Sequence, residues 1–151
     1  MKASRKKVFI KKLFKFLFVS LFSLSTMFAN VKNVKAESLL NVNFSQESIV
    51  EHLKLDVPKK FKQAWLKAER GSWEPWLVKQ DGFLGRQLFW DPKVEEATLL
   101  IGWESREVWK SISQADINLV QQDFEKIARK ETGETSGNPF PLIFEGELNP
   151  E

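Results

Sequence analysis

The sequence predicts an α+β fold in which four strands and two helical regions follow one another in the order β-α-β-β-α-β. Runs with alternating apolar and polar residues indicate the strands, and runs with apolar residues every three or four positions indicate the helices. At 151 residues the chain has room for one domain. Residues 65–90 hold four of its six tryptophans and are predicted to form a bent helix, a turn and a buried strand.

The first 36 residues are predicted to be a signal peptide. Six Lys and Arg residues precede an apolar run at residues 14–29, and Val34 and Ala36 supply the small residues of a cleavage site. The run is shorter than the roughly 20 apolar residues that a membrane-spanning helix needs. We therefore expect cleavage after Ala36 and export to the periplasm or the thylakoid lumen. Cleavage after Ala29 and retention of the leader as a membrane anchor are the alternatives.

Removal of this leader reverses the charge of the chain. The full sequence has a net charge of +3, but without the nine Lys and Arg residues of its first 36 positions it keeps 14 basic against 20 acidic residues, a net charge of −6. A negative surface repels phosphate backbones and anionic lipids. We therefore expect no nucleic-acid partner, and membrane contact only through an uncleaved leader. The absence of cysteine excludes disulfides and thiolate metal sites.

The predicted domain covers residues 49–148, and the polar residues 37–48 are predicted to be a flexible lead-in. The first strand is expected at residues 49–57, where apolar and polar residues alternate. Glu51 shares the apolar face of this strand, and His52 lies on the opposite, more polar face. The alternation therefore predicts that only Glu51 of these two side chains points into the core.

A helix is predicted to begin near Phe61 and to contain Pro75, which should kink it or break it, with Ser72 capping a second segment. The two glycines of Gly82-Phe83-Leu84-Gly85 predict a turn that tucks the apolar pair into the core. A second strand is expected at residues 86–90. This half of the chain is therefore predicted to supply one helical region and the first strand of a hairpin.

The second half of the domain repeats this order. A strand is predicted at residues 97–103, followed by a short helix that Ser105 caps. A longer helix is expected to begin after Ser113 and to end before Gly133, because an apolar stripe lies between these two end signals. The last strand is predicted at residues 140–148, with Phe140, Leu142 and Phe144 on one face and Pro141 and Ile143 on the other.

Four strands and two helical regions in this order predict a ferredoxin-like split βαβ fold, an antiparallel sheet with its helices on one face. The strand at 97–103 is apolar on both sides, however: Leu99, Ile101 and Trp103 face one way, and Thr98, Leu100 and Gly102 face the other. Something must cover the second face of the sheet. A second copy of the same sheet would do so, and we expect a homodimer.

Four motifs resemble the antibiotic-biosynthesis-monooxygenase-like superfamily, and in particular a small exported branch of it found in cyanobacteria. They are Trp73-Glu74-Pro75-Trp76-Leu77, Gln80-Asp81-Gly82-Phe83-Leu84-Gly85, Trp90-Asp91-Pro92 and Trp103-Glu104-Ser105-Arg106-Glu107-Val108-Trp109. The resemblance covers residues 49–148. It implies a dimeric α+β barrel, with any chemistry located between the helices and the inner face of the sheet.

The sequence does not contain the complete set of catalytic residues that enzymes of this superfamily use. Its haem-degrading members use Asn, Trp and His, and the corresponding positions here fall at Glu51, near Ile112 and around Gln122. Its cofactor-free oxygenases often use Asn, Trp and Tyr, and this chain has no Tyr. Any activity is therefore expected to be monooxygenase-like and independent of cofactors. A single histidine also makes a metal site improbable.

Glu51 and His52 are the candidates for acid–base chemistry. Burial beside apolar neighbours would raise the pKa of Glu51 towards the range of a general base. The alternative for Glu51 is a partly hydrated position, or a pair with Arg86 or Lys54. The pKa range of His52 also suits a base, but its place on the polar face favours a surface or dimer-interface residue.

Aromatic residues supply the candidates for a ligand pocket. A flat molecule could lie among the tryptophans with Arg86 holding an anionic group; the alternatives are a plain core and a surface ion pair. The pocket candidates are Trp73, Trp76, Arg86, Trp90, Trp103 and Trp109.

Two functions remain at this stage. One is an exported protein that binds or oxidises a flat hydrophobic small molecule without a metal. The other is a non-enzymatic ligand-binding or structural dimer. A cavity large enough for a drug-sized molecule would favour the first, and a filled core the second.

Overall fold

The computed structural model describes residues 38–151, so the predicted signal peptide and its cleavage site lie outside the described residues. The domain contains four strands: β1 (Ile49–Asp56), β2 (Phe83–Asp91), β3 (Glu96–Trp103) and β4 (Leu142–Leu148). They form one antiparallel sheet in the order β2-β3-β1-β4. This strand order confirms the predicted ferredoxin-like fold.

Four helices accompany the sheet: α1 (Lys62–Gly71), α2 (Trp73–Leu77), α3 (Arg106–Lys110) and α4 (Gln114–Thr132). Short 3₁₀ turns occupy Leu39–Asn41 and Lys59–Phe61. Within residues 38–151, none of the helices combines the length and the apolar character needed to cross a bilayer.

Three of the predicted helix ends are confirmed by local hydrogen bonds. The hydroxyl of Ser105 accepts from the backbone N–H of Val108, and that of Ser113 accepts from the N–H of Asp116. Gly133 ends α4 in the left-handed conformation, with φ of 82°, which glycine adopts without steric cost.

Two local predictions were wrong. The helix breaks at Ser72, but the Ser72 hydroxyl caps nothing: it donates to the carbonyl of Ala68 at 2.7 Å. The predicted turn at residues 82–85 is also shorter, because Phe83 already begins β2. The turn itself ends at Gly82, whose φ of 69° suits glycine.

The core lies between the helices and one face of the sheet, called here the inner face. Trp65 and Ala68 of α1 and Phe124 and Ala128 of α4 pack on strand residues that include Leu99. A neighbouring cluster joins α2 and α3 to the same face. Both helical regions therefore cover the same side of the sheet, as predicted.

The opposite side, called here the outer face, keeps large exposed apolar side chains. Phe89 is 50% exposed, Phe144 45% and Leu148 44%. The sequence had placed Phe144 beside Leu142 on one face, which is wrong: a register shift at Lys54/Leu55 lets Leu142 turn inward while Phe144 stacks against His52.

Part of the outer face is covered by the segment that precedes β1. Ser38 donates a hydrogen bond to Gln87 at 2.7 Å. Leu39 and Phe44 lie so close to Gly102 that a Cβ there would meet their side chains at 2.8 and 3.1 Å. The flexibility expected for residues 37–48 stays a prediction.

Candidate functional site

A cavity of about 520 Å³ lies between the inner face and the helices. This volume is within the range of small-molecule sites, roughly 300–1,000 Å³. All four strands and helices α1–α4 contribute to its wall. Exposed side chains of Lys110, Gln114, Leu142 and Glu145 also line it. The cavity therefore opens between the beginning of α4 and the edge strand β4.

Glu51 extends from β1 into this cavity, as its place on the apolar face of the strand predicts. One of its oxygens, Oε2, accepts a hydrogen bond from the indole Nε1 of Trp103 at 3.3 Å. The other oxygen, Oε1, accepts none from the described residues, although every deeply buried side-chain polar atom among them has a partner. Oε1 is therefore accessible from the cavity.

The surroundings of Glu51 bring its carboxyl group into the range of a neutral-pH acid or base. Burial raises its pKa to about 7, and the negative charge of Glu145 contributes in the same direction. The hydrogen bond from Trp103 and the positive charge of Lys110 oppose the shift. Near neutral pH, Glu51 can therefore exchange a proton with a bound molecule.

Arg86 lines the cavity from β2, where it pairs across the sheet with Ile101, and is 5% exposed. Its guanidinium donates to Glu69 of α1 at 2.8 Å and to Glu74 of α2 at 3.0 Å. The other oxygen of Glu69 accepts from the indole of Trp65 at 3.2 Å. Burial raises the pKa of Glu69, and the guanidinium at 2.8 Å opposes that shift.

This ion network bears on the two predicted roles of Arg86, which were an anchor for an anionic ligand group and a surface ion pair. Both carboxylates that it binds belong to the protein, so its charge is already neutralised and it offers a ligand no free cation. It also does not pair with Glu51. Lys54, the other predicted partner of Glu51, binds Glu96 at 3.5 Å instead.

Five of the six pocket candidates line the cavity: Trp73, Trp76, Arg86, Trp103 and Trp109. The rings of Trp73 and Trp76 meet edge to face, with centroids 5.5 Å apart. The ring of Trp109 carries the ammonium group of Lys110 on its face at 3.4 Å. The aromatic wall is therefore built from α2, β3 and α3.

Trp90 lies outside this cavity. Its indole donates to the backbone carbonyl of Val57 at 3.0 Å, and the ammonium of Lys62 sits over its ring at 4.6 Å. His52 is also elsewhere: it lies on the outer face, where its ring centroid is 4.9 Å from that of Phe144. The structure therefore separates Glu51 from the other predicted acid–base candidate.

Several polar residues of the cavity were not predicted from the sequence, namely Glu69, Lys110, Gln114, Gln121, Asn138 and Glu145. Glu69 had a detectable signal, because it follows Trp65 by four positions and so shares the buried side of α1. The others lie at helix or strand surfaces whose inward or outward orientation depends on tertiary packing. Within residues 38–151, no group of three or more His, Cys, Asp or Glu side chains could hold a metal ion.

The described domain is similar in fold to solved structures of bacterial proteins. A monooxygenase of Streptomyces coelicolor, solved in complex with nanaomycin D, is similar with a TM-score of 0.51 and 12% identity, over 70% of this chain and 89% of that one. SnoaB, a cofactor-independent oxygenase of Streptomyces nogalater, gives a TM-score of 0.42 and 11% identity over 69% and 93% of the two chains. No protein-family model and no curated protein match the sequence. The fold of the described domain is therefore similar to that of the Streptomyces coelicolor monooxygenase.

We predict that Arg86→Met lowers the free energy of unfolding by about 3–5 kcal/mol at pH 8, because Glu69 would stay buried without a positive partner. Chemical denaturation measures this change. Lys67→Met is the matched control, since its pair with Glu131 has a lysine side chain that is 64% exposed; it should cost at most about 1 kcal/mol. Equal losses in both variants would contradict a structural role for the buried network.

Proposed function

We propose that the chain binds a flat, largely apolar small molecule in the cavity between the sheet and the helices. The observation that carries this proposal is the unfilled volume of about 520 Å³. Its wall combines four tryptophans with a largely buried carboxyl group, Glu51. A few polar groups in a mostly apolar wall are typical of small-molecule sites.

Glu51 supplies the chemistry in this proposal. Its accessible oxygen takes a proton from an acidic O–H or C–H group of the bound molecule, which leaves an electron-rich anion in an apolar site. Dioxygen can then oxidise that anion without a metal. Conversion of a CH₂ group to a carbonyl uses one O₂: one oxygen atom enters the product and the other leaves as water. The fold shared with a monooxygenase is an analogy that supports this step.

The second candidate is a binding protein or structural dimer without catalytic activity. The chain has no tyrosine, and it lacks the Asn, Trp and His residues at the positions described above. Both absences favour this second candidate. Oxygen consumption separates the two candidates once the natural ligand is identified. An enzyme would use one O₂ per turnover and lose that activity in Glu51→Gln, whereas a binding protein would consume none.

A cavity-filling variant tests the binding site. Gln121 of α4 is half-buried and lines the cavity, whereas its neighbour Gln122 is exposed and does not. We predict that Gln121→Trp weakens the binding of 2-naphthylmethanol at least tenfold, because the indole occupies the ligand volume. Gln122→Trp should bind as the wild type does. Isothermal titration calorimetry measures both affinities, and circular dichroism verifies that both variants fold.

Two results would contradict the proposed site. One is the absence of saturable binding of 2-naphthylmethanol to the wild-type protein. The other is an equal affinity in the wild type and both variants, which would locate the probe on the surface.

We infer that the outer face forms a homodimer interface, which would complete a dimeric α+β barrel. Exposed apolar side chains on both edge strands, Phe89 on β2 and Phe144 and Leu148 on β4, support this inference. Phe89 and Leu148 line a shallow groove together with His52 and Leu100, and Phe144 contacts His52. Contiguous apolar surface of this kind is typical of an interaction site.

Charge substitutions test this interface. The double variant Phe89→Glu/Leu148→Glu should be monomeric, because association would bury four carboxylates in an apolar interface. Leu119→Glu is the control: Leu119 is 62% exposed on α4, on the helical side. Native mass spectrometry at micromolar concentration should show dimers for the wild type and for Leu119→Glu. A monomeric wild type would contradict the inference.

We further propose that the chain is exported after cleavage at Ala36, to the periplasm or the thylakoid lumen, as a member of an exported branch of monooxygenase-like proteins. The basic and apolar residues of its first 36 positions support this localisation. The intact mass of the protein isolated from its own compartment identifies the N-terminal residue. A mass that retains residues 1–36 would contradict cleavage.

A further inference from the structure

The charged side chains of the cavity differ in how well they are neutralised. Arg86 is neutralised by Glu69 and Glu74, and the other cation, Lys110, lies 3.6 Å from Glu147, a carboxylate that Arg106 also binds at 2.9 Å. Within residues 38–151, no basic side chain lies within 4.0 Å of Glu51 or Glu145. The carboxylates that face the free volume are therefore in excess of the available positive charge.

This excess is concentrated on one side of the cavity. Glu51 points inward from β1, and Glu145 lies opposite Leu53 on the neighbouring strand β4. Burial is the main cause of the raised pKa of Glu51, and the negative charge of Glu145 adds to it. A negatively charged ligand group placed here would meet two carboxylates, Glu51 and Glu145, against one ammonium group, that of Lys110, which is held by Glu147. Around Glu51, which is largely buried, the repulsion is stronger than it would be in water.

The aromatic residues on the same side favour the opposite charge. The indole of Trp103 donates to Glu51, and Trp109 contributes a neighbouring wall. The face of Trp109 already holds one ammonium group, that of Lys110, at 3.4 Å. Tryptophan faces attract cations through their quadrupole, and aromatic walls combined with a carboxylate suit organic ammonium ions.

We propose that the cavity selects flat aromatic molecules that carry a positive charge, as a protonated or quaternary amine, and excludes carboxylates. The positive group lies beside Glu51 and Glu145, and the aromatic body fills the apolar volume towards Leu99 and Phe124. This inference rests on the proposed function, since it assigns a ligand class to the same cavity.

Three naphthalene probes of one size test the ligand class: trimethyl(2-naphthylmethyl)ammonium, the uncharged 2-naphthylmethanol, and 2-naphthoate. At pH 8.5 Glu51 is ionised, because this pH lies above its pKa of about 7. The other charged groups around it are Lys110 on α3, paired with Glu147, and Glu145 on β4. By isothermal titration calorimetry, the cation should bind at least tenfold more tightly than the alcohol, and the carboxylate at least tenfold more weakly.

Charge-removing variants locate the preference. Glu51→Gln should reduce the ratio of cation affinity to alcohol affinity about tenfold. Glu134→Gln removes the same charge from an exposed position away from the cavity, so it should leave the ratio unchanged. Gln121→Trp should abolish binding of the cation as well as that of the alcohol.

The outcomes separate this inference from the proposed function. If no probe binds, or if Gln121→Trp has no effect, the cavity is not a ligand site and both fail. If the alcohol or the carboxylate binds as tightly as the cation, the ligand class is wrong and the site remains. Equal effects of Glu51→Gln and Glu134→Gln would also overturn the inference, because the preference would then reflect overall charge.

Discussion

The buried ion network around Arg86 is the constraint on which the rest of the site depends. Its guanidinium connects β2 to Glu69 of α1 and Glu74 of α2, at 2.8 and 3.0 Å. Buried charges are costly unless each remains paired and hydrogen-bonded, so the helices cannot move relative to the sheet without breaking these contacts. The network therefore fixes the spacing between the two layers, and the cavity lies within that spacing.

The same network also determines the electrostatics of the cavity. Because Glu69 and Glu74 neutralise Arg86, Glu51 is the one group within residues 38–151 that faces the free volume with both a raised pKa and an accessible oxygen. The site combines a carboxyl group of raised pKa, an aromatic wall and an opening towards β4, which suits proton transfer with a small molecule. The network around Arg86 shapes this site without taking part in its chemistry.

The periodic features of the chain were predictable from sequence. Alternation placed Glu51 and His52 on opposite faces of β1, and the caps at Ser105 and Ser113 marked helix ends because they satisfy local hydrogen bonds. Alternation misplaced Phe144, since a register shift in β4 is set by its pairing with β1. The partners of Arg86 and the existence of the cavity depend on the distance between layers, which no local pattern specifies. Trp90 was predicted to line the pocket because it is a tryptophan, but its position outside the cavity also depends on the packing of the layers.

The titration of Glu51 tests the proposed site most directly, because this carboxyl group lies in the cavity, is largely buried there and supplies the proposed chemistry. We would follow the side-chain carboxyl carbon by ¹³C NMR between pH 3 and pH 9, with Glu51→Gln to assign the signal. We predict a midpoint near pH 7, because burial raises the pKa of Glu51 to about 7. A midpoint near 4.5, the ordinary value for glutamate, would show that water hydrates Glu51 freely, and would contradict the proposed site.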